Sequence, residues 1–328
     1  MRSIEPFPYY PPTLDVDESG GKATAKNLQR YLSGHARKMT FPTSWNKEDV
    51  RGFLYASQWR VCAYCSRDLP GNDRGDVEHF RPKAKVVEAP DHGGYWWLAY
   101  RVANYVLSCG VCNSTRKGNR FPVKPASSRA TYDGDPDCVA EEATLLHPKY
   151  DDFDRLFAVD LNSRRAEVLP APGISGRTLE RVNHHIEFYR INTDQHLIRE
   201  RTDVLDAASE ALEAEDFDRA SSLAVRFNRQ SLVARQLLKN VAPDHLPDED
   251  YELGWLLGRI IREFDILTSV LVDYPDDRSE LELEETIWAL STLLATKDKA
   301  KVNSVCSKLG ILGDVQDRAG KLRSIPVA

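Results

Sequence analysis

At 328 residues the chain can bury a full hydrophobic core, in one large domain or, as the working figure, two smaller ones. Its 29% charged and 41% hydrophobic residues give the balance of a soluble globular protein and exclude the disordered and fibrous classes. The net charge of −6 hides an asymmetry: residues 1–130 hold 20 Lys and Arg against 12 Asp and Glu, leaving 24 against 38 for the remainder. A polyanion would therefore meet the front of the chain, with the acidic back solvated or facing another protein.

No apolar run reaches the roughly 18–20 residues that span a bilayer, and the opening MRSIEPFPYYPP lacks a signal-peptide core, so a cytoplasmic protein without membrane contact is expected. Residues 1–45 read as an extended arm, rich in Pro, Tyr and acids, followed by a short helix over Ala23–Leu32. A cap-like stretch, Ser44 to Asn46, opens a second helix through KEDVRGFLYASQ, with acids in its first turn, and this helix delivers the chain to Cys62.

Residues 46–125 form the first domain. From Cys62 to Val123 the pattern is irregular, with turn signals at LPGNDRG and DHGG and short strands at DVEHF and NYVLS. After CGVC, the residues NSTRKGN read as one brief helix ended by Gly118, and Phe121-Pro122 close the unit. Residues 126–176 read as a connecting layer with β-like pieces FAVDL and AEVLP. From Arg177 the period turns helical and stays so to residue 328, in segments such as RTLERVNHHIEFYRI, HLIRERTDVLDAASEALEAE and ASSLAVRFNRQSLVARQLLKN, with no fixed repeat. The expected class is α+β, a small metal-stapled unit followed by a mainly α-helical C-terminal domain.

The six cysteines carry more in their placement than in their number. Cys62, Cys65, Cys109 and Cys112 make two C-x-x-C knuckles, while Cys138 and Cys306 stand alone and read as small buried apolar residues. Each knuckle sets two thiolates on one tight turn, and two knuckles complete the tetrahedral sulfur shell of a structural zinc. The metal would anchor the ends of the long loop between them and spare a small, β-poor region a large core.

Inside that loop stand Glu78 and His79, then Asn104, and Asn113 follows the last knuckle cysteine. Phosphodiester hydrolysis needs an imidazole to take a proton from water and a divalent cation, Mg2+ or Mn2+, to neutralise charge on the phosphate and leaving oxygen. His79 is the candidate base. Glu78 and Asn113 supply the oxygen ligands that a hard cation prefers, with Asp76, on the same strand face as Glu78, a candidate third ligand. Asn104, at the start of the second strand, would pin the backbone or ring that orients His79; His79, Asn104 and Asn113 make up the candidate catalytic set. Arg81, Lys83, Arg116 and Lys117 surround it and could bind phosphates on either side of a cut.

These segments, CAYC, DVEHFRPK and YWWLAYRVANYVLSCGVCNSTRKGNRFPV, resemble the HNH nuclease subunits of Septu-type anti-phage systems, including retron-linked relatives. The resemblance covers about Ser57 to Val123, with an echo in LLHPKYDDFDRLF and in GRTLERVNHHIEFYRIN; the family's usual aromatic residue is replaced here by Val102 or Ala103. It implies a ββα-metal fold, His79 as base, Mg2+ near Glu78 and Asn113, zinc on the four cysteines, cleavage to a 5′-phosphate, and an ABC-like ATPase partner for which residues 177–328 are the docking candidate. DNA is favoured over RNA, although these groups address phosphate and water and do not read the 2′-hydroxyl. Two other readings stay open: a zinc-stabilised nucleic-acid binding or adaptor module without cleavage, and a stand-alone restriction-type nuclease. No helix-turn-helix or repeated finger stands out to serve the latter.

Overall fold

The computed structural model describes residues 11–296, apart from 16, 36, 37, 70–73 and 274–276. The first ten residues of the expected arm, the tip of the LPGNDRG turn, Cys306 and the end of the helical run lie outside the described residues. The described part is mostly helical, with two small two-stranded sheets, an α+β chain in the broad sense.

Helix α1 spans Ser19–Leu32, four residues longer at its start than the sequence pattern suggests. Gly20 and Gly21 are poor helix formers in isolation. Gly20 is nevertheless required there, because a Cβ would lie 2.9 Å from Leu14 Cδ2 and 3.1 Å from the Thr13 carbonyl. Helix α2, Glu48–Gln58, follows a 3-10 turn at Ser44–Asn46 and carries Glu48 and Asp49 in its first turn, where carboxylates oppose the positive end of the helix dipole. Trp59, at φ 51°, ends it and turns the chain toward Cys62.

Every residue of α2 from Asp49 to Gln58 is buried, as befits a helix covered on all sides. One cover comes from far along the chain: helix α9, Asp277–Thr296, packs directly on it. The approach is close enough that a Cβ on Gly52 would sit 2.3 Å from Trp288 Cβ and 2.7 Å from the Glu285 carbonyl. Arg51 Nε donates to Glu285 Oε1 at 2.5 Å, and Arg74 pairs with the same carboxylate. Helix α8, Glu249–Asp273, packs against α9 in turn.

Strands β1, Asp76–His79, and β2, Tyr105–Ser108, pair antiparallel with Asp76 opposite Ser108 and His79 opposite Tyr105. A π-helical turn, Val111–Lys117, follows and closes with Gly118 N donating to Asn113 O. It begins at Val111 rather than after the cysteines, so Cys112 is part of the helix. The order is therefore strand, strand, helical turn.

The layer after residue 125 contains a short helix α3, Phe153–Leu156, and a hairpin of β3, Phe157–Asp160, with β4, Glu167–Pro170. Helices α4, Gly176–Phe188, α5, Gln195–Glu213, α6, Phe217–Ala224, and α7, Ser231–Val241, complete the back. The continuous helical reading of ASSLAVRFNRQSLVARQLLKN is corrected here: it breaks between Ala224 and Ser231. Gln230 adopts φ 46°, its Nε2 donates to the Cys65 carbonyl at 2.9 Å, and its backbone N–H donates to the Ser66 carbonyl at 3.0 Å. Those tertiary bonds override the local periodicity. Among the described residues a hydrophobic cluster runs from Leu14 to Leu293. No helix among the described residues is long and apolar enough to cross a membrane.

Candidate metal centre and adjoining polar site

Cys62, Cys65, Cys109 and Cys112 are all buried, and their four sulfurs lie within 4.8 Å of one another, the one such group of His, Cys, Asp or Glu among the described residues. The first knuckle is tied to the sheet by Ala63 N donating to Leu107 O at 2.9 Å, and the second turns into the helix with Cys112 N directed at Cys109 Sγ. The Cys65 and Cys109 sulfurs are 3.9 Å apart. Tetrahedral Zn–S bonds of about 2.3 Å place sulfurs about 3.8 Å from one another, so the cluster fits zinc in spacing as well as in donor type. Burial opposes ionisation of Cys62, but thiols of Cys109, Cys112 and Cys65 converge on its sulfur and hold it well below the usual thiol range. Arg116 adds a contact from outside, its Nη1 3.9 Å from Cys112 Sγ. The lone Cys138 is buried, as its sequence setting suggests, and burial pushes its thiol up to about 12.

His79 sits at the end of β1, enclosed by rings: Trp45 at 4.7 Å and Tyr105 at 5.0 Å, both edge-on. Its Nε2 lies 3.0 Å from the Ala99 carbonyl, which also accepts from Tyr105 Oη. Because a carbonyl only accepts, Nε2 carries the proton. Burial, reinforced by the nearby Lys83 charge, holds the imidazole well below its usual range. The ring is thus neutral, with a lone pair on Nδ1.

Asn104 ends the 3-10 turn Val102–Asn104, just before β2 and not within it as the sequence pattern suggests. Its Oδ1 accepts from Arg81 N at 2.8 Å and its Nδ2 donates to Arg81 O at 3.0 Å and Leu98 O at 3.3 Å. Phe80 N donates to Asn104 O. The end of β1 is thereby locked to the loop that presents Ala99 to His79.

Asn113 and Lys117 face β1 from the helical turn. Asn113 Nδ2 donates to Asp76 Oδ2 at 2.8 Å, and the Lys117 ammonium pairs with Glu78 and donates to the His79 carbonyl at 2.9 Å. Burial raises the Glu78 carboxyl, and the Lys117 charge pulls it back down. The oxygen donors Asp76, Glu78 and Asn113 thus line one side of the strand and suit a hard cation, with an ammonium already occupying a cationic position at Glu78.

The four basic residues do not share one setting. Lys83 is partly exposed, its ammonium 4.5 Å from the Trp45 ring centre. Arg81 Nε donates to the buried Glu141 at 2.7 Å. Arg116 is buried and bonds the Tyr189 carbonyl and Asp194, the residue that caps α5. Lys117 is fully enclosed.

Sequence reasoning did not single out Lys149 or His147. Lys149 Nζ donates to the Val102 carbonyl at 2.8 Å beneath the Asn104 loop, and burial lowers it to about 7. His147 packs on Phe80 at 4.1 Å. Each is a single polar residue in a Pro- and Asp-rich stretch, where only the fold reveals burial.

No protein-family model matches the chain. Over 128 residues it is 32% identical to the Septu protein PtuB of Bacillus mycoides (strain KBAB4). The chain is a distant homologue of that protein. The match takes in 36% of this chain and 43% of the relative, so the chain spans less than half of the relative's length.

Proposed function

We propose that the chain is a metal-dependent HNH endonuclease, a small ββα-metal unit that hydrolyses nucleic-acid phosphodiesters within a Septu-like defence complex. The observation that carries this reading is the His79 ring at the end of β1, neutral and fixed through Nε2, which leaves Nδ1 as its basic atom. Homology to the Septu protein PtuB supports it. In this reading Nδ1 takes a proton from water as the water oxygen bonds to phosphorus and the bond to the 3′ oxygen breaks. The products are a 5′-phosphate and, after protonation by solvent, a 3′-hydroxyl. A divalent cation held by Glu78 and Asn113, with Asp76 assisting, would supply the charge that stabilises the leaving oxygen. Asn104 keeps the base aligned and Lys83 reaches the phosphate directly, while Arg81, Arg116 and Lys117, each paired with a carboxylate, would reach a phosphate only by exchanging that partner. DNA is the favoured substrate.

The same reading divides the chain into an arm at 1–45, the nuclease unit at 46–125, a connecting layer at 126–176 and a helical region at 177–328 that docks an ABC-like ATPase. One observation favours a zinc-stabilised binding module instead: the Glu78 carboxylate is already paired with an ammonium. The two are separated by incubating the zinc-loaded protein, alone and with a co-encoded ATPase, with plasmid DNA and RNA in Mg2+. Cutting that disappears in His79→Ala supports the nuclease; nucleic-acid binding without cutting in either preparation supports the module.

A further inference from the structure

The loop that holds His79 in place also lines a cavity. Trp96, Leu98, Arg101 and Asn104 of that loop line it together with His147 and Tyr150. Its volume of about 420 Å3 falls in the range of about 300–1,000 Å3 typical of small-molecule sites. Two features distinguish it from ordinary core packing. Tyr150 leaves 63% of its surface exposed, with its ring 4.5 Å from that of His147. The exposed Arg101 guanidinium has no hydrogen-bond or ion-pair partner among the described residues, unlike Arg81, which is bound to Glu141.

A ligand for this cavity must offer a flat π-face to Tyr150 and an anion to Arg101. The unpaired guanidinium of Arg101 in the lining argues against an aromatic cage for a cation, the Arg81 charge being offset by Glu141. Asp137 can instead accept from the amino group of a base. We infer that the cavity binds one nucleotide, with its base stacked on Tyr150 and its phosphate on Arg101, and that the nucleotide belongs to a single-stranded segment of nucleic acid. The strand as the source rests on the nuclease reading; the nucleotide chemistry does not. Duplex bases, already stacked on their neighbours, cannot enter without being turned out. Occupancy would bear on the loop from Trp96 to Asn104, and through the Ala99 carbonyl on the orientation of His79.

Fluorescence anisotropy of labelled oligothymidylate and oligouridylate, without added divalent cation, tests this, with thymidine and adenosine monophosphates as competitors and a short duplex as control. Tyr150→Ala and Arg101→Ala are each expected to weaken single-strand binding about tenfold, in line with base–aromatic stacking, while thermal melting stays unchanged. Competition by the monophosphates with equal affinity would keep the nucleotide site and make the free nucleotide its ligand. Both variants binding like the unaltered protein, or no binding of any of these probes, would overturn the proposal. That result beside His79-dependent cutting would leave the nuclease reading standing. Binding through Tyr150 and Arg101 without cutting would keep the cavity site and remove the nuclease.

Discussion

The cysteine cluster and His79 lie at the two ends of the same small sheet, and the donor groups around them differ in kind. In the cluster four equivalent donors face one another, buried, and Arg116 contacts one of the sulfurs. Along β1 the oxygen donors are unlike, Asp76 is exposed, and the carboxylate of Glu78 already has an ammonium from Lys117. The first arrangement suits a metal that is part of the fold; in the proposed nuclease the second would take a cation together with substrate. A closed sulfur shell stores folding energy, whereas a mixed oxygen site with a competing Lys adds little to stability and leaves room for chemistry.

The largest expected effect breaks the cluster. Structural zinc contributes apparent free energies on the order of 10 kcal/mol to small domains, so a strong chelator, or Cys62→Ser with Cys109→Ser, should unfold the region of residues 46–125. Metal analysis should give one zinc per chain, and circular dichroism should show a melting transition lowered or lost with the metal. Removal of Mg2+ should leave melting unaltered.

Next in size is the support for α2, the helix that leads into the first knuckle. Glu285→Ala would leave Arg51 buried and Arg74 partly buried without their carboxylate, a change that typically costs about 3–5 kcal/mol. Urea unfolding should report a loss of that size. A loss below about 1 kcal/mol would mean that α9 does not brace α2 as described.

On the His79 side the buried Lys149 gives a pH signature. Its folded pKa, about 7, lies below the ordinary lysine value of 10.5, so the unfolded chain takes up a proton at higher pH than the folded one. Stability is then fullest above about 10.5 and falls as pH drops from there through about 7. Lys149→Met should stabilise the protein at neutral pH, on the order of 2–4 kcal/mol, and the gain should shrink toward pH 10. An equal effect at both pH values would show that Lys149 remains charged in the fold.

The smallest expected effect separates bracing from chemistry. Asn104→Ala removes two hydrogen bonds to Arg81, just past β1, and one to Leu98, and should cost about 1–3 kcal/mol. Zinc content should be unaffected. Altered zinc content would mean that the two sites are one cooperative unit.

Much of this was legible in the chain. The two C-x-x-C knuckles announce a sulfur site because few other arrangements use that spacing, and the short apolar runs DVEHF and NYVLS mark the strands, whereas the cap expected at Ser44–Asn46 is a 3-10 turn and the helix starts after Lys47 without a side-chain cap. What stayed hidden depends on distance in sequence. Nothing local marks Glu285 as the partner of Arg51, or Gln230 as the residue that breaks a helix to hold Cys65. Gly20 and Gly52 look like weak points of helices until a neighbouring backbone or side chain is seen where their Cβ would be. Arg116 and Lys117 look like surface charges because a π-helical turn rotates them inward, which no α-helical periodicity anticipates.

The central claim is that His79 accepts the proton, and chemical rescue addresses that atom directly. His79→Gly, with zinc content and melting checked first, should lose Mg2+-dependent cleavage of plasmid or RNA by at least about a hundredfold. Added imidazole should restore part of the rate, following the concentration of its neutral form. Cleavage by His79→Gly equal to that of the unaltered protein, and indifferent to imidazole, would contradict the account.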